Sequence, residues 1–531
     1  MATKKGQTTG PERWGADEAM MRLPPILFEN VTPSVDGGRY PAKRIAGDVC
    51  VVEADLLRDG AEVMCAQLRW WKDGAEGFNV APFLPLVNDR WQGRFLLADV
   101  ADYWFTLEAW TDPFASWREG FKRFAAAERR LESEIEEGIR HVAAAAANAS
   151  AEDRQALEEA VALLKNSGGD GEAALAIVSD EAFSALMRRW GVRTQVTVLD
   201  PPLPVQVNRA RARVGAWYEM FPRSQGTVPG KGATFREAEA RLPAIRDLGF
   251  DVIYLPPIHP IGTTHRKGRN NALTAGPDDP GSPWAIGSPA GGHMAVEPAL
   301  GTLADFDHFV MVANRLGMEI ALDIAIQCSP DHPWVTEHPE WFYHRPDGSI
   351  KYAENPPKRY QDIYPINFQS AHAQQIWLAM LEVFQFWIDH GVKIFRVDNP
   401  HTKPFPFWRW VLSQVRQRDP DVLFLAEAFT RPKIMKALAK LGYHQSYSYF
   451  TWRNHKQELM EYLTELSQTE MRDYYQPNFF ANTPDILHEF LQRGGRPAFE
   501  IRLLLAATLS PTYGIYSGYE LCENEAVPGT E

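Results

Sequence analysis

GVKIFRVDNP at 391–400 and DVLFLAEAFT at 421–430 decide the fold. Each is a short apolar run that ends on a carboxylate where a turn begins, Asp398 in the first and Glu427 in the second. Side chains alternate faces along a strand, so Arg396 and Asp398 point to the same side of the sheet. Carboxylates presented from neighbouring strand ends are the equipment for breaking a glycosidic bond.

Working outward, similar runs recur from residue 207 on. Strands are expected at 214–221, 252–258, 319–326, 392–398, 422–428, 447–450, 479–483 and 512–517. Amphipathic patterns fit helices between most of them, for example at 234–248, 304–316 and 371–390. Repeated strand–helix units over this length predict a (β/α)8 TIM barrel spanning 207–531. No GxGxxG or GxxxxGK[ST] opens a helix, which argues against a nucleotide-binding sheet. Two connections, 259–301 and 327–367, are far longer than usual. Both follow strand ends, on the face where barrel active sites sit.

The part before the barrel reads differently. From 21 to 115 short alternating runs such as DYWFTLEAW are broken by turns, and TQVTVLD at 194–200 returns to that character. A β-sandwich over 21–115 and 191–206 is predicted, interrupted at 116–190 by an inserted α-helical bundle rich in Ala, Glu and Arg. Phe124, Leu131, Ile135, Ile139 and Val142 are expected on one helix face. Ser150 and Asp153 resemble a capping box opening a second helix, and a third fits 171–189. Such a module is usually a packing surface, and it is the candidate interface of a homodimer.

At 531 residues several cores are required. The net charge of −13 argues against a nucleic-acid partner. No apolar run is long enough to span a membrane. Residues 1–20 read as a polar, flexible tail without the apolar segment of a secretory signal. The four cysteines show no CxxC pairing, and no His cluster stands at metal-ligand spacing, so buried free thiols in a cytoplasmic protein are expected and no metal is. Seventeen tryptophans serve either large cores or faces that stack on sugar rings, and composition does not separate the two.

Asp485, in ANTPDILHEF, follows the seventh expected strand and adds a third acid to the same rim. With 68 acidic residues in the chain, any one acid at a strand end is as well explained by capping the next helix. Three on one rim, with Arg396 beside the first, point to chemistry. Attack on an anomeric carbon needs a carboxylate nucleophile and an acid of raised pKa for the leaving oxygen. Asp398, beside the Arg396 cation, suits the first role; Glu427, between Ala426 and Ala428 in an apolar strand, suits the second. Asp485 is placed to gauge sugar hydroxyls and to stabilise developing positive charge. A separation of about 5 Å between the first two would give retention through a covalent glycosyl-enzyme.

FRVDNPH, FLAEAF and NTPD resemble, in order and spacing, the fourth-, fifth- and seventh-strand motifs of the α-amylase superfamily, glycoside hydrolase family 13. ALDIAI with Asp323 resembles the third-strand motif. The chain is most similar to the branch of α-1,4-glucan:maltose-1-phosphate maltosyltransferases, along nearly all its length. The resemblance implies Asp398 as nucleophile, Glu427 as acid/base and Asp485 as transition-state stabiliser. It further implies a phosphate cradle of Asn355, Lys358, Tyr360 and Asn399, and sugar contacts from Lys267, Asn271, Gln327 and Asp362, alongside Arg396. The implied donor is α-maltose 1-phosphate, the acceptor an α-1,4-glucan or maltooligosaccharide, with no cofactor. Amylases usually carry Asn-His after the third-strand Asp, where Gln327-Cys328 stand here, and a His where Pro484 stands. Both departures disfavour calcium and plain hydrolysis. The alternatives are an α-glucan hydrolase, a transglycosylase using a phosphate-free donor, and a non-catalytic glucan-binding barrel. The family continues beyond the eighth strand with more of the barrel and a C-terminal β-sandwich, so the barrel is expected to be truncated at Glu531.

Overall fold

A computed structural model describes residues 24–127, 131–356 and 358–528; the tail expected at 1–20 lies outside them. Two compact units emerge. The first comprises its described residues up to Pro33, with Val49–Leu96 and Tyr103–Pro204; the second comprises Ser34–Asp48, Leu97–Asp102 and Val205 onward.

In the first unit the strands Leu27–Thr32, Val49–Leu57, Arg90–Leu96, Asn79–Pro85, Met64–Lys72 and Asp102–Thr111 are antiparallel neighbours in that order. Thr194–Val198 adds to the last. Alternation drives the assembly: Cys50, Val52, Ala54 and Leu56 are buried, whereas Val49 and Val51 face outward. Between Asp102–Thr111 and Thr194–Val198 the chain forms helices Pro113–Ala127, Glu132–Asn148, Ala151–Asn166, Gly171–Val178 and Glu181–Trp190. They enclose their own core of Trp117, Ile139, Val142, Leu157, Leu164 and Phe183.

Two helix readings are corrected. Phe124 belongs to the first helix and is 52% exposed, while Ile135, Ile139 and Val142 form the buried stripe of the next. The helix expected over 171–189 breaks, because the Asp180 carboxylate accepts from Phe183 N–H at 2.9 Å and starts a new helix there. Ser150 Oγ caps as expected, accepting from Asp153 N–H at 3.2 Å, but the Asp153 carboxylate turns to Trp190 Nε1 at 2.8 Å.

In the second unit, Gly215–Glu219, Val252–Leu255, Glu319–Ala325, Ile394–Asp398, Leu423–Glu427, Gln445–Tyr447, Pro477–Phe480 and Thr512–Tyr516 close a parallel barrel. The sixth strand ends earlier than its sequence suggested, at Tyr447. Ser448 Oγ accepts from Phe450 N–H, and Tyr449–Trp452 becomes a 3-10 turn. The helix expected at 234–248 is two short helices, the second opening on Leu242 and Pro243, since proline fits a first turn and not a helix interior. Among the described residues no helix is long and apolar enough to cross a membrane.

The barrel is filled, not hollow. Trp217, Tyr254, Ala321, Ile394, Leu425, Tyr447 and Phe480 form its floor. Phe480 stacks on Tyr447 at 4.7 Å and meets Trp217 and Tyr254 edge-on, so it has no room to move. Gly514 exists to accommodate it: a Cβ there would lie 2.5 Å from Phe480 Cζ. Gly514→Ala is therefore expected to destabilise the barrel unit by about 1–3 kcal/mol, read as a lower urea midpoint at unchanged slope.

Candidate active site

Ladder register builds the site. Asp323 lies opposite Arg396, and Ala325, Asp398 and Glu427 stand side by side across the third, fourth and fifth strands. Ile394, Leu423 and Leu425 fill the interior, so period two aims Arg396, Asp398 and Glu427 inward as well. Neighbouring strands are about 4.8 Å apart, which sets the scale for the two carboxyl groups.

One guanidinium organises them. Arg396 Nη1 donates to Asp323 Oδ2 at 2.9 Å and to Asp398 Oδ1 at 3.0 Å, and Nη2 lies 3.7 Å from Glu427 Oε2. Asn399 then stops the strand in the left-handed region, at φ 43°, a conformation asparagine tolerates better than most residues. The kink turns its backbone N–H onto Glu427 Oε2 at 3.1 Å and leaves its side-chain amide 3.4 Å from Asp398 Oδ2.

Beneath the pair, Asp323 is fully buried and its Oδ2 takes three donors: Tyr254 Oη at 2.8 Å, Arg396, and Trp284 Nε1 at 3.2 Å. Burial pushes the Asp323 carboxyl up, against the pull of Arg396. Burial likewise raises Glu427; Arg396 opposes the shift and the Asp398 charge adds to it. Burial would by itself lower the Arg396 guanidinium, but Asp323, Tyr254 and Glu427 raise it well above its ordinary value, so it stays charged.

The remaining expected residues divide into groups. Lys267 and Asp362 come together in the interior, 4.0 Å apart and each about 5% exposed or less, and Lys267 Nζ also donates to Gln361 Oε1 at 3.3 Å. Burial raises Asp362. Gln327 donates its amide to the Trp284 carbonyl at 3.1 Å, so it shares a partner residue with Asp323. Asn355 pairs across a small hairpin with Lys358, and Tyr360 lies on the same two-stranded ladder, half-buried. Asn271 is exposed in a left-handed turn at φ 59°. Asp485 sits on the exposed turn after the seventh strand, where its amide donates to Thr483 Oγ1 at 3.2 Å.

Tyr254 and Trp284, both donors to Asp323, are members of the site that the sequence alone does not reveal. So is a buried group from two different loops: His293, Cys328 and His332, whose ligand atoms lie within 4.8 Å of one another. Its hydrogen bonds speak for a clasp. Trp334 N–H donates to His332 Nδ1 at 3.0 Å, which puts the His332 proton on Nε2, 3.1 Å from His293 Nδ1. His293 Nε2–H then donates to the Ala325 carbonyl at 2.9 Å. Burial lowers His293 to about 4 and His332 to about 2, so both rings are neutral. Every ring nitrogen has a partner, and a metal would have to take the proton-bearing nitrogen of His332. The donor set fits a metal poorly. It ties the loop carrying Trp284 to the strand end beside Asp398, and the four cysteines are free thiols, two of them buried.

A closed parallel barrel with two carboxyls in register at its C-terminal rim, sharing one arginine, defines the class: a barrel equipped for glycosyl-group chemistry. Residues 24–209 match the family model for domain N/S of α-1,4-glucan:maltose-1-phosphate maltosyltransferase. The chain is 52% identical over 507 residues to the protein of that name from Chlorobaculum tepidum, covering 95% of this chain and 75% of that one. To the maltosyltransferase 1 of Streptomyces coelicolor it is 52% identical over 526 residues, covering 98% and 77%. An α-amylase structure from Lactobacillus plantarum aligns at 24% identity with a TM-score of 0.47, over 59% of this chain and 74% of that one. The chain belongs to the α-1,4-glucan:maltose-1-phosphate maltosyltransferase family.

Arg396→Met should expose how much rests on this hub. It leaves Asp323 buried without its cation, and a loss of about 3–5 kcal/mol is expected by chemical denaturation. Adding Asp323→Asn should recover part of that loss, because the stranded charge is then gone.

Proposed function

We propose that the chain transfers a maltosyl unit from α-maltose 1-phosphate to the non-reducing 4-hydroxyl of an α-1,4-glucan, releasing phosphate with retention. The observation that carries this reading is the in-register pair Asp398 and Glu427, one bonded to Arg396 and the other to the amide of Asn399. Family membership supplies the donor and acceptor.

In the first step an Asp398 oxygen attacks C1 from one face while the C1–O bond to phosphate breaks on the other. Protonated Glu427 assists the departing oxygen. Asn399, Asn355, Lys358 and Tyr360 are assigned to the phosphate, and Lys267, Asn271, Gln327 and Asp362 to the donor's sugar rings. Lys267 and Asp362 form a buried pair that would gain partners from sugar hydroxyls. Asp485 is assigned to the developing positive charge. In the second step Glu427, now ionised, removes the proton of the acceptor 4-hydroxyl, whose oxygen attacks C1 and frees Asp398. Donor, acceptor and two carboxyls balance the reaction, so it draws on no cofactor. The helical module, with its own core, is assigned to a homodimer contact and the chain to the cytoplasm; the sandwich is assigned to 21–115 and 191–206, the helical insert to 116–190 and the barrel to 207–531.

Phosphate release should require both maltose 1-phosphate and a maltooligosaccharide. Reducing sugar from glucan alone, with indifference to the phosphate donor, would instead identify a hydrolase. Asp398→Ala is expected to lower turnover about a thousandfold or more while the chain still binds glucan. The pH profile follows from Glu427. Its raised carboxyl keeps the proton at neutral pH and gives it up on the alkaline side, so kcat for phosphate release should fall as pH rises, and Glu427→Gln should abolish that limb.

A further inference from the structure

A further acid, Glu219, lies under the site with no role in the proposed reaction. Glu219 closes the first barrel strand, two residues after Trp217 of the barrel floor, so its side chain points inward. It is 1% exposed, and its Oε2 has no hydrogen-bond partner among the described residues. Tyr254 and Tyr516 flank it in register on the two neighbouring strands. The charges that act on it are Arg396, Asp323, Asp485 and Glu427, and it in turn acts on Tyr447.

The local charge count is lopsided. Arg396 is the cation among the charges that act on Glu219, Lys403 acting on Asp398 instead, and its guanidinium is already divided among Asp323, Asp398 and Glu427. A second ionised acid beneath it would be buried without a partner and would compete for the same cation. We propose that Glu219 is a positioning residue that works as a neutral, protonated carboxyl, filling the polar layer under the carboxylate pair while leaving Arg396 to Asp398 and Glu427. Burial, the largest influence on it, holds the proton in place, with the surrounding carboxylates adding to the effect and Arg396 opposing it.

The inference rests on the proposed maltosyl transfer for its kinetic arm only. Glu219→Gln keeps size and neutrality, so phosphate release should stay within about threefold of wild type with its alkaline limb unmoved. Were Glu219 ionised in the working enzyme, the same change would remove a negative charge beside Glu427. The alkaline limb would then move to lower pH and activity would fall more than about tenfold. A Glu219→Gln chain that does not fold overturns the proposal as well, because a carboxamide replaces a neutral carboxyl without loss of size. The second readout needs no turnover. The infrared difference between wild type and Glu219→Gln at neutral pH should contain a protonated-carboxyl stretch, and a carboxylate stretch in its place overturns the proposal. A wild-type chain that releases no phosphate from maltose 1-phosphate would refute the transfer reading and leave the infrared result to decide Glu219.

Discussion

The barrel mouth is built around a shortage of positive charge. Arg396 is buried, permanently charged, and shared by Asp323, Asp398 and Glu427. A buried ion pair adds little net stability when its desolvation is counted, but removing the cation strands every carboxylate that leaned on it. Carboxyls beyond those one guanidinium can satisfy must keep their protons. The acid that a glycosyl transfer requires is thus a by-product of having more acids than cations in a dry place. The same scarcity dictates where donors go. Asp323, deepest of the group, receives Tyr254 and Trp284 on the oxygen that also meets Arg396.

That arrangement depends on backbone events a few residues away. A strand that continued past Asp398 would carry Asn399 N–H into the ladder, out of reach of Glu427. The left-handed kink at Asn399 redirects it onto the acid/base carboxyl. On the other side, the loop that delivers Trp284 is long and would be free to wander without the neutral histidine clasp. Gly287 and Gly292 lie so close to His332 that a Cβ at either would approach within 2.4 Å and 2.3 Å of its ring. Glycine there is required by close approach, and the clasp in turn fixes where the Asp323 donor sits.

Much of this was legible because the strand ends carry their chemistry in period two. FRVD and FLAE announce both the buried strands and the inward carboxyls, and the ladder adds that the two acids are in register. What stayed hidden involved pairs remote in sequence. His293 and His332 are 39 positions apart in separate loops, and Trp284 reads as one more aromatic in a Gly/Pro-rich stretch. Glu219 is illegible for a different reason: an acid at one strand end is ordinarily a helix cap, and only the absence of solvent around it changes that reading. In the helical module the apolar spacing ran across two helices, so Phe124 was grouped with a stripe it does not share. The Asp180 cap is masked in the sequence because the apolar pattern continues through it.

The two steps of the proposed reaction ask opposite things of Glu427, and the wiring of Arg396 suggests how one carboxyl serves both. In the free enzyme the Asp398 charge adds to the burial that raises Glu427, while Arg396 is shared among three carboxyls. Once Asp398 becomes a glycosyl ester its charge is gone. The repulsion on Glu427 disappears, and the guanidinium has one fewer carboxylate to serve, so more of its attraction falls on Glu427. Both changes lower the Glu427 pKa when the next step needs a base. A site in which forming the covalent intermediate turns the acid into a base is suited to hold that intermediate for a sugar hydroxyl, provided the acceptor is seated before water arrives.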